Sequence, residues 1–249
     1  AEYDLIVAAL AGLAQGNWPL HRVPAGVGGI SHLHGSRIPA DQQYAWLKIG
    51  EGCSNHCTYC TIPAIRGPLV SRPLEDLVEE AMFLAEQGIN EIILVSQDTT
   101  RYGEDIWQRP SLDVLLRELD ARLPENMWIR IMYFYADAIT DELIDVMASS
   151  QRILNYIDMP IQHAADKVLK MMGRSENKTL IKERIDKLRE SLPDLILRTT
   201  VMVGFPGETE EDFAELLEFI NEVKFDRLGC FVFSPEEGTA AIKLKGKVD

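Results

Sequence analysis

Hydrophobic and polar positions follow two different periods along this chain from about residue 44 onward. Short apolar runs, typical of buried strands, predict six β-strands over residues 44–49, 91–96, 127–133, 154–159, 196–203 and 227–233. Longer amphipathic runs predict helices between them, over residues 73–87, 111–123, 140–149, 165–172, 178–192 and 209–223. Pro73 suits a first helical position and Gly88 suits a helix end. Strands that alternate with helices predict βαβ units and a parallel sheet.

Two arrangements of such a sheet are possible at this point: an open doubly wound sheet and a barrel of βα units. The hydrophobic period does not distinguish between these two arrangements. In both arrangements the active site lies at the C-terminal ends of the strands. The first predicted strand ends directly before a cysteine-rich loop, so the thiols are expected at the catalytic edge of the sheet.

The first 40 residues have a different character. Residues 3–15 predict a short helix that ends at Gly16, and residues 16–40, rich in proline and glycine, predict a linker or an extended surface arm. His32 and His34 could bind a metal, but an exposed pair of loop histidines is the preferred interpretation. The N-terminus lacks the basic region of a signal peptide, and no apolar run reaches the roughly 18 residues of a membrane helix. We therefore expect a cytoplasmic protein without a membrane-spanning segment.

The charge of the chain narrows the class of partner. Its 249 residues include 25 Lys and Arg against 39 Asp and Glu, which gives a net charge of −14. Proteins that bind nucleic acid through their own surface usually present a basic patch. No strong basic cluster is evident here, so we do not expect direct nucleic-acid binding by this fragment. A protein or a small molecule is the expected substrate, unless another domain makes the nucleic-acid contact.

Three of the four cysteines fall within eight residues, in the segment GCSNHCTYC. Cys53, Cys57 and Cys60 have the spacing Cys-x3-Cys-x2-Cys, and three thiolates can hold three irons of a cubane iron–sulfur cluster while one iron keeps an open position. Cys230 lies in the last predicted strand, where a buried structural thiol is expected. The alternatives are a structural zinc site that adds His56 to the three thiols, and no metal at all.

This cysteine spacing after a first strand, with Tyr59 before the last cysteine, resembles the radical S-adenosylmethionine superfamily. The resemblance implies an α/β fold, a partial (βα)6 TIM-like barrel, and one 4Fe-4S cluster held by the three cysteines. It also implies that S-adenosyl-L-methionine chelates the open iron. One electron from the cluster then cleaves the cofactor, and the 5′-deoxyadenosyl radical takes a hydrogen atom from the substrate.

Several sequence blocks resemble one enzyme family within this superfamily, the methylthiotransferases, over about residues 40–249. They read GCSNHCTYCTIPAIRGPLVSR, ILVSQDTTRYG, DMPIQHAADKVLKMMGR, RTTVMVGFPGETEEDF and SPEEGT. The third block and DTTRYG resemble the branch that modifies the β-carbon of an aspartate in the small-subunit ribosomal protein uS12. The alternative branch modifies an isopentenyl-adenosine in tRNA. An alternative of another class is a zinc-stabilised binding module without catalysis, and the electron donor stays unknown.

Members of this family usually have three parts, and the chain departs from that pattern. No cysteine precedes Cys53, so one cluster is expected here and a second in the full-length protein. The resemblance implies that residues 1–40 are the tail of an N-terminal domain and a linker. It places the radical core at residues 41–235, and residues 236–249 form a linker to a missing C-terminal β-barrel domain.

The resemblance also implies cofactor-binding residues outside the cysteine loop, whereas no catalytic residue is identified. They are Tyr59, Ser96, Gln97, Gln162, Arg198 and Gly204. Plainer interpretations remain open for several of them: a polar turn for Ser96 and Gln97, and an internal ion pair for Arg198. The carboxylate that Arg198 could hold is either that of the cofactor or that of a substrate aspartate. His163 could donate a proton, contact the substrate or be a packed histidine.

Overall fold

The computed structural model describes residues 43–248. Eight strands occur among these residues, and they are β1 (Tyr44–Lys48), β2 (Gly50–Glu51), β3 (Val70–Ser71), β4 (Glu91–Val95), β5 (Trp128–Ile131), β6 (Ile153–Asp158), β7 (Ile196–Val203) and β8 (Arg227–Val232). The helices are α1 (Ile62–Arg66), α2 (Leu74–Glu86), α3 (Glu104–Trp107), α4 (Leu112–Arg122), α5 (Asp141–Ser149), α6 (Asp166–Met171), α7 (Lys178–Ser191) and α8 (Glu210–Val223). Short 3-10 turns lie at Ala136–Ala138 and Ala241–Lys243.

The order of the strands decides between an open doubly wound sheet and a barrel. Six strands form one parallel sheet in the order β1-β4-β5-β6-β7-β8, which is also their order along the chain. A doubly wound sheet reverses its strand order at a switch point, and this sheet never reverses. In the described part of the chain β1 and β8 are unpaired with each other and form the two edges. The expected partial (βα)6 barrel is confirmed.

Alternation along the strands explains why the sheet has a buried outer face and an open concave face. One set of strand residues packs in the core against the helices, and it comprises Ala45, Leu47, Ile92, Leu94, Ile129, Ile131, Leu197 and Val201. Their neighbours point to the opposite face. That concave face carries Trp46, Arg130 and Arg198, which are exposed or half-buried. The concave face is therefore open to solvent and to ligands.

The predicted elements of the barrel agree closely with the structure. Each barrel strand and each predicted helix lies within two residues of its expected bounds, and β7 matches residues 196–203 at both ends. The small antiparallel pair β2 and β3 and the short helices α1 and α3 were not predicted. Each has five residues or fewer, which is too short for a hydrophobic period to show. The predicted helix over 3–15, the linker over 16–40, and His32 and His34 lie outside the described residues.

The expectation of a buried Cys230 is wrong. This thiol is exposed on β8, the edge strand. Its register partner on β7 is Val201, whose side chain is buried, so both residues lie on the outer face of the sheet. No described helix follows β8 to cover it.

Within residues 43–248 no helix is both long and apolar enough to cross a lipid bilayer.

Candidate functional site

Three free thiols lie in the loop that follows β2. Cys53 and Cys57 are buried and Cys60 is half-buried. Burial raises the pKa of Cys53, and the nearby charges of Asp98 and of the other two thiols raise it further. Burial also raises the pKa of Cys60, with a further contribution from Cys57. A bound cation would favour the thiolate form of Cys53 and Cys60, which burial disfavours.

The geometry around these thiols does not support a single zinc ion. His56 is exposed, whereas its neighbour Cys57 is buried, so the two side chains face different surroundings. Across residues 43–248 no three His, Cys, Asp or Glu side chains come together as the ligands of one metal ion would. Three free thiols on one short loop match the number and type of ligands that a cubane cluster takes from the protein when one iron stays open. The donor set therefore fits the cluster that the sequence predicts.

The cysteine loop is held by backbone hydrogen bonds from several sides. Cys53 N donates to Gly67 O at 3.1 Å, which closes the start of the loop. Thr58 N donates to Met172 O at 2.8 Å, and Thr58 O accepts from Ala241 N at 2.8 Å. The loop is therefore docked between the end of α6 and the 3-10 turn at Ala241–Lys243.

Two glycines permit this close docking. Gly52 has φ +75°, and a Cβ atom there would lie 2.1 Å from Pro68 O. Gly173 has φ +71°, and a Cβ atom there would lie 2.6 Å from His56 O. Both obstacles are backbone atoms, which cannot rotate away as a flexible side chain can. Any larger residue would push the cysteine loop away from its support.

A buried polar network joins the loop to two neighbouring strand ends. Asn55 Nδ2 donates to Asp98 Oδ2 at 2.7 Å, and Thr100 Oγ1 donates to Asp98 Oδ1 at 2.6 Å. Arg101 Nε lies 3.2 Å from Asp98 Oδ2, and Arg101 Nη2 donates to Asp137 Oδ2 at 2.5 Å. Burial raises the pKa of Asp98, and these hydrogen bonds and the Arg101 charge act against that rise. The carboxyl of Asp98 thus anchors the cysteine loop to the end of β4.

The predicted residues Ser96 and Gln97 follow β4 and carry buried atoms without partners. Ser96 Oγ and Gln97 Oε1 make no hydrogen bond to any described residue. Leaving a buried polar atom unpaired costs about 1–3 kcal/mol. Such atoms at the C-terminal end of a barrel strand fit a polar ligand that supplies the missing hydrogen bonds. Their assignment to the cofactor stays a prediction.

Gln162 lies at the end of β6 with an unusual backbone. Its φ is +67°, in the left-handed region, where residues other than glycine are strained. Hydrogen bonds to both sides hold it there: Gln162 N donates to Thr200 O at 2.9 Å, and Met202 N donates to Gln162 O at 2.7 Å. Tyr133, beyond the end of neighbouring β5, has φ +64°. Strain at two adjacent strand ends is typical of a functional site.

Arg174 is a site residue that the sequence analysis missed. Its side chain is 1% exposed, and Nη2 lies 2.7 Å from Glu176 Oε2 and donates to Pro160 O at 3.0 Å. The guanidinium lies 4.2 Å from the ring centroid of Tyr135, while Nε and Nη1 have no partner among the described residues. The available signal was the block DKVLKMMGR, which ends on this arginine.

Arg174 also interacts with the cysteine loop. Burial lowers the pKa of Arg174 and the Glu176 carboxylate raises it, and Tyr59 and Cys57 of the cysteine loop are among the further groups that raise it. Tyr59 packs edge-on against Phe205, with ring centroids 6.4 Å apart, and burial raises the pKa of its phenol while Arg174 lowers it. The structure thus brings Tyr59 and Arg174 to the thiols. Whether Tyr59 touches a cofactor stays a prediction.

The structure gives Arg198 a partner of its own. Arg198 Nη1 donates to Asp158 Oδ1 at 2.5 Å, which matches the internal ion pair considered for it. Its assignment to the cofactor stays a prediction.

His163 is fully buried, as a packed histidine would be. Its Nδ1 accepts from Ala165 N at 3.0 Å, and its Nε2 lies 3.6 Å from Glu208 Oε1. Burial lowers the pKa of His163 despite the nearby charge of Glu208, so a neutral imidazole is favoured.

Gly204 borders a mostly apolar cavity of about 320 Å³ at the ends of β7 and β8. Val232, Phe233, Ala241 and Ile242 also line it. A flat, largely apolar ring system fits such a lining. The prediction that Gly204 borders the adenosine is compatible with this cavity and stays a prediction.

Comparison with known proteins finds a family model that matches this chain and several proteins with similar sequences. A family model described as the Radical SAM superfamily matches residues 47–220. The ribosomal protein uS12 methylthiotransferase RimO of Alkaliphilus oremlandii is 51% identical over 86% of this chain and 49% of its own length. The proteins of the same name from Clostridioides difficile and Thermotoga maritima are 52% and 48% identical over 85% and 84% of the chain. The chain spans about half the length of these relatives.

Solved structures share the fold at low sequence identity. The radical S-adenosylmethionine methyltransferase TsrM from Kitasatospora setae has a TM-score of 0.63 and 19% identity, over 76% of this chain and 36% of that one. Coproporphyrinogen III oxidase (HemN) from Escherichia coli has a TM-score of 0.60 and 19% identity, over 83% and 48%. These similarities support the barrel architecture.

Gly52→Ala should destabilise the protein and prevent metal loading, because the added methyl group meets the backbone of Pro68. We expect the free energy of unfolding to fall by roughly 3 kcal/mol or more. Gly88→Ala is the matched control: its φ is +83°, but a Cβ atom there meets nothing within 4 Å, so the cost should be about 1–2 kcal/mol. Urea unfolding and iron content measure both effects, and equal losses in the two variants would contradict the clash.

Asp98→Ala should loosen the cysteine loop, because Asn55, Thr100 and Arg101 lose their common acceptor. We expect a loss of about 3 kcal/mol in the free energy of unfolding together with faster loss of bound iron. Asp145→Ala, on the exposed side of α5, is the control and should change neither quantity appreciably. Chelator-challenge kinetics that are identical in the two variants would show that Asp98 does not support the loop.

Proposed function

We propose that this chain, which belongs to the radical S-adenosylmethionine superfamily, is the core of a methylthiotransferase that modifies the β-carbon of an aspartate in ribosomal protein uS12. The observation that most directly supports this proposal is that three free thiols lie in one loop at the C-terminal edge of an open barrel. Identity of about 50% to proteins named as uS12 methylthiotransferases supports the choice of substrate. The core spans residues 41–235, and the activity belongs to a protein that includes it.

Membership of the superfamily implies a 4Fe-4S cluster and S-adenosyl-L-methionine as cofactors. Cys53, Cys57 and Cys60 hold three irons of the cluster and leave the fourth for the cofactor. When bound, these groups supply the one-electron chemistry that breaks a C–H bond at an unactivated carbon. A second cluster would need ligands beyond those of this chain, because Cys230 is the one cysteine that remains.

The residues of this chain bind and orient S-adenosyl-L-methionine through the polar atoms that lack partners. Nε and Nη1 of Arg174 are buried donors, and a planar guanidinium suits the carboxylate of an amino acid. Ser96 Oγ and Gln97 Oε1 are buried acceptors at the end of β4, and they suit the amino group. The apolar cavity beside Gly204 takes the adenine ring.

Two rival functions have less support. A methylthiotransferase for tRNA would be expected to carry basic charge, whereas this chain has a net charge of −14. A zinc-stabilised module would need four ligands around one ion, and the exposed His56 does not join the buried thiols. Free thiols in the site also fit a reducing compartment such as the cytoplasm.

The substrate is tested in a strain that lacks the gene. Mass spectrometry of uS12 and of tRNA should show loss of the methylthio group from uS12 and no change in tRNA. Loss of the tRNA modification alone would assign the protein to the other branch.

Cys57→Ala should abolish cluster binding, because two thiolates cannot hold the cubane in place of three. After anaerobic reconstitution we expect the iron content per chain to fall to near zero. Cys230→Ala removes an exposed thiol on β8 and should retain the wild-type iron content. A Cys57 variant with unchanged iron, or a wild-type protein with one zinc and no iron, would overturn the assignment.

Arg174→Lys should weaken the binding of S-adenosyl-L-methionine and leave the cluster in place, since it keeps the charge but loses the planar set of guanidinium donors, Nε and Nη1 included. We expect the dissociation constant to rise at least roughly tenfold, as measured by calorimetry on the iron-loaded protein. Arg152→Lys is the control, because Arg152 pairs with Asp120 at the N-terminal end of β6. An unchanged affinity in the Arg174 variant would remove this residue from the site.

A further inference from the structure

The concave face of the barrel carries more positive than negative side chains, although the chain as a whole is acidic. The register of the sheet places Asp158, Arg198 and Arg227 in one row across β6, β7 and β8. Arg130, on β5, pairs with Glu91 at 2.5 Å. Arg227 forms no ion pair with any carboxylate among residues 43–248; its side chain donates only to the backbone oxygen of Asp226, at 3.4 Å.

Arg198 is anchored on one side and open on the other. Its Nη1 donates to Asp158 Oδ1, and Asp158 is fully buried beneath it. The Arg198 side chain is 37% exposed and makes no further hydrogen bond within the described part of the chain. A guanidinium fixed through one nitrogen presents its remaining donors in a defined direction, which suits recognition of a second carboxylate.

Tyr133 lies in the segment that contacts the partner of this arginine. The next residue, Phe134, donates its backbone N–H to Asp158 O at 2.8 Å. Tyr133 is 42% exposed, and its left-handed backbone is held by a hydrogen bond from Thr99 N at 3.1 Å. A bulky residue kept at positive φ at a strand end indicates that its position is functionally required.

Arg174 and Arg198 lie in different surroundings, and we therefore assign them different ligands. Arg174 closely follows Met172, whose backbone oxygen accepts a hydrogen bond from Thr58 N of the cysteine loop at 2.8 Å. Arg198 lies on the concave face of β7, in register with Asp158 of β6 and Arg227 of β8. S-adenosyl-L-methionine has a single carboxylate, for which Arg174 already provides free donors. Arg198 is therefore available to another anionic group inside the barrel.

We infer that Arg198, with Tyr133 beside it, binds the side-chain carboxylate of the substrate aspartate and determines that an aspartate rather than an asparagine is accepted. This inference rests on the proposed function and assigns Arg198 to the substrate instead of the cofactor. Arg198 fixes the carboxylate through charge-assisted hydrogen bonds, and the adjacent β-carbon is thereby held in a constant position. Asp158 is the positioning residue that orients Arg198.

The test compares two labelled peptides that carry the uS12 sequence around the target, one with the aspartate and one with asparagine in its place. Fluorescence anisotropy on the iron-loaded protein with bound S-adenosyl-L-methionine gives both dissociation constants. The wild type should prefer the aspartate peptide at least roughly tenfold, in line with a charge-assisted hydrogen bond. Arg198→Met should reduce this preference to near unity without changing the affinity for S-adenosyl-L-methionine.

Two further variants make the result specific. Arg130→Met removes a paired arginine from the same concave face and should keep the preference for aspartate. Because Arg198→Met leaves Asp158 buried without its partner, the double variant Asp158→Asn with Arg198→Met removes both charges and keeps the net charge constant. It should fold and should lose the preference to the same extent as the single variant.

The outcomes separate this inference from the proposed function. If the deletion strain loses the methylthio group of uS12 but the Arg198 variants still prefer the aspartate peptide, the inference alone is overturned. It is equally overturned if the Arg198 variants lose affinity for S-adenosyl-L-methionine and for both peptides alike. If uS12 keeps its methylthio group and the wild type shows no preference for aspartate, both proposals are overturned.

Discussion

The placement of three neighbouring thiols in one partly buried loop is the constraint on which the rest of this structure depends. Burial raises the pKa of Cys53 and of Cys60, so the neutral thiol is favoured there until a cation binds, and the fold must hold the three side chains together by other means. It does so with neutral backbone hydrogen bonds and with the network around Asp98. A bound cation would favour the thiolate form at Cys53 and Cys60 and would add its own bonds to this support.

Two arginine–carboxylate pairs, one buried and one with a partly exposed arginine, hold guanidinium groups in this barrel. Arg174 and Glu176 lie beside the cysteine loop, and Arg198 and Asp158 lie on the concave face of β6 and β7. Each carboxylate offsets most of the desolvation cost of its arginine while leaving some donors of the guanidinium free. A cofactor and a substrate that both carry a carboxylate can thus be recognised at separate places.

The sequence predicts the fold well where a local signal exists and fails where the cause is tertiary. Alternating strands such as β7 were predicted within two residues, since one face of each strand must be buried. The cysteine spacing predicted the thiol loop. The closure of the sheet depends on strand order, which no local period encodes. Arg174 was missed because its burial arises from Tyr135, Pro160 and Glu176, and Cys230 was misjudged because an edge strand has no covering helix.

Within residues 43–248, the edges of β1 and β8 are unpaired, and this has a consequence for how a large molecule can reach the concave face. A fully closed barrel admits ligands along its axis alone, so a polypeptide would have to present a free end or a narrow tip. A sheet with a lateral seam can be approached from the side, and a loop of an already folded protein can slide in without being unravelled. Under the function proposed above, this architecture suits a target residue in the middle of a mature chain.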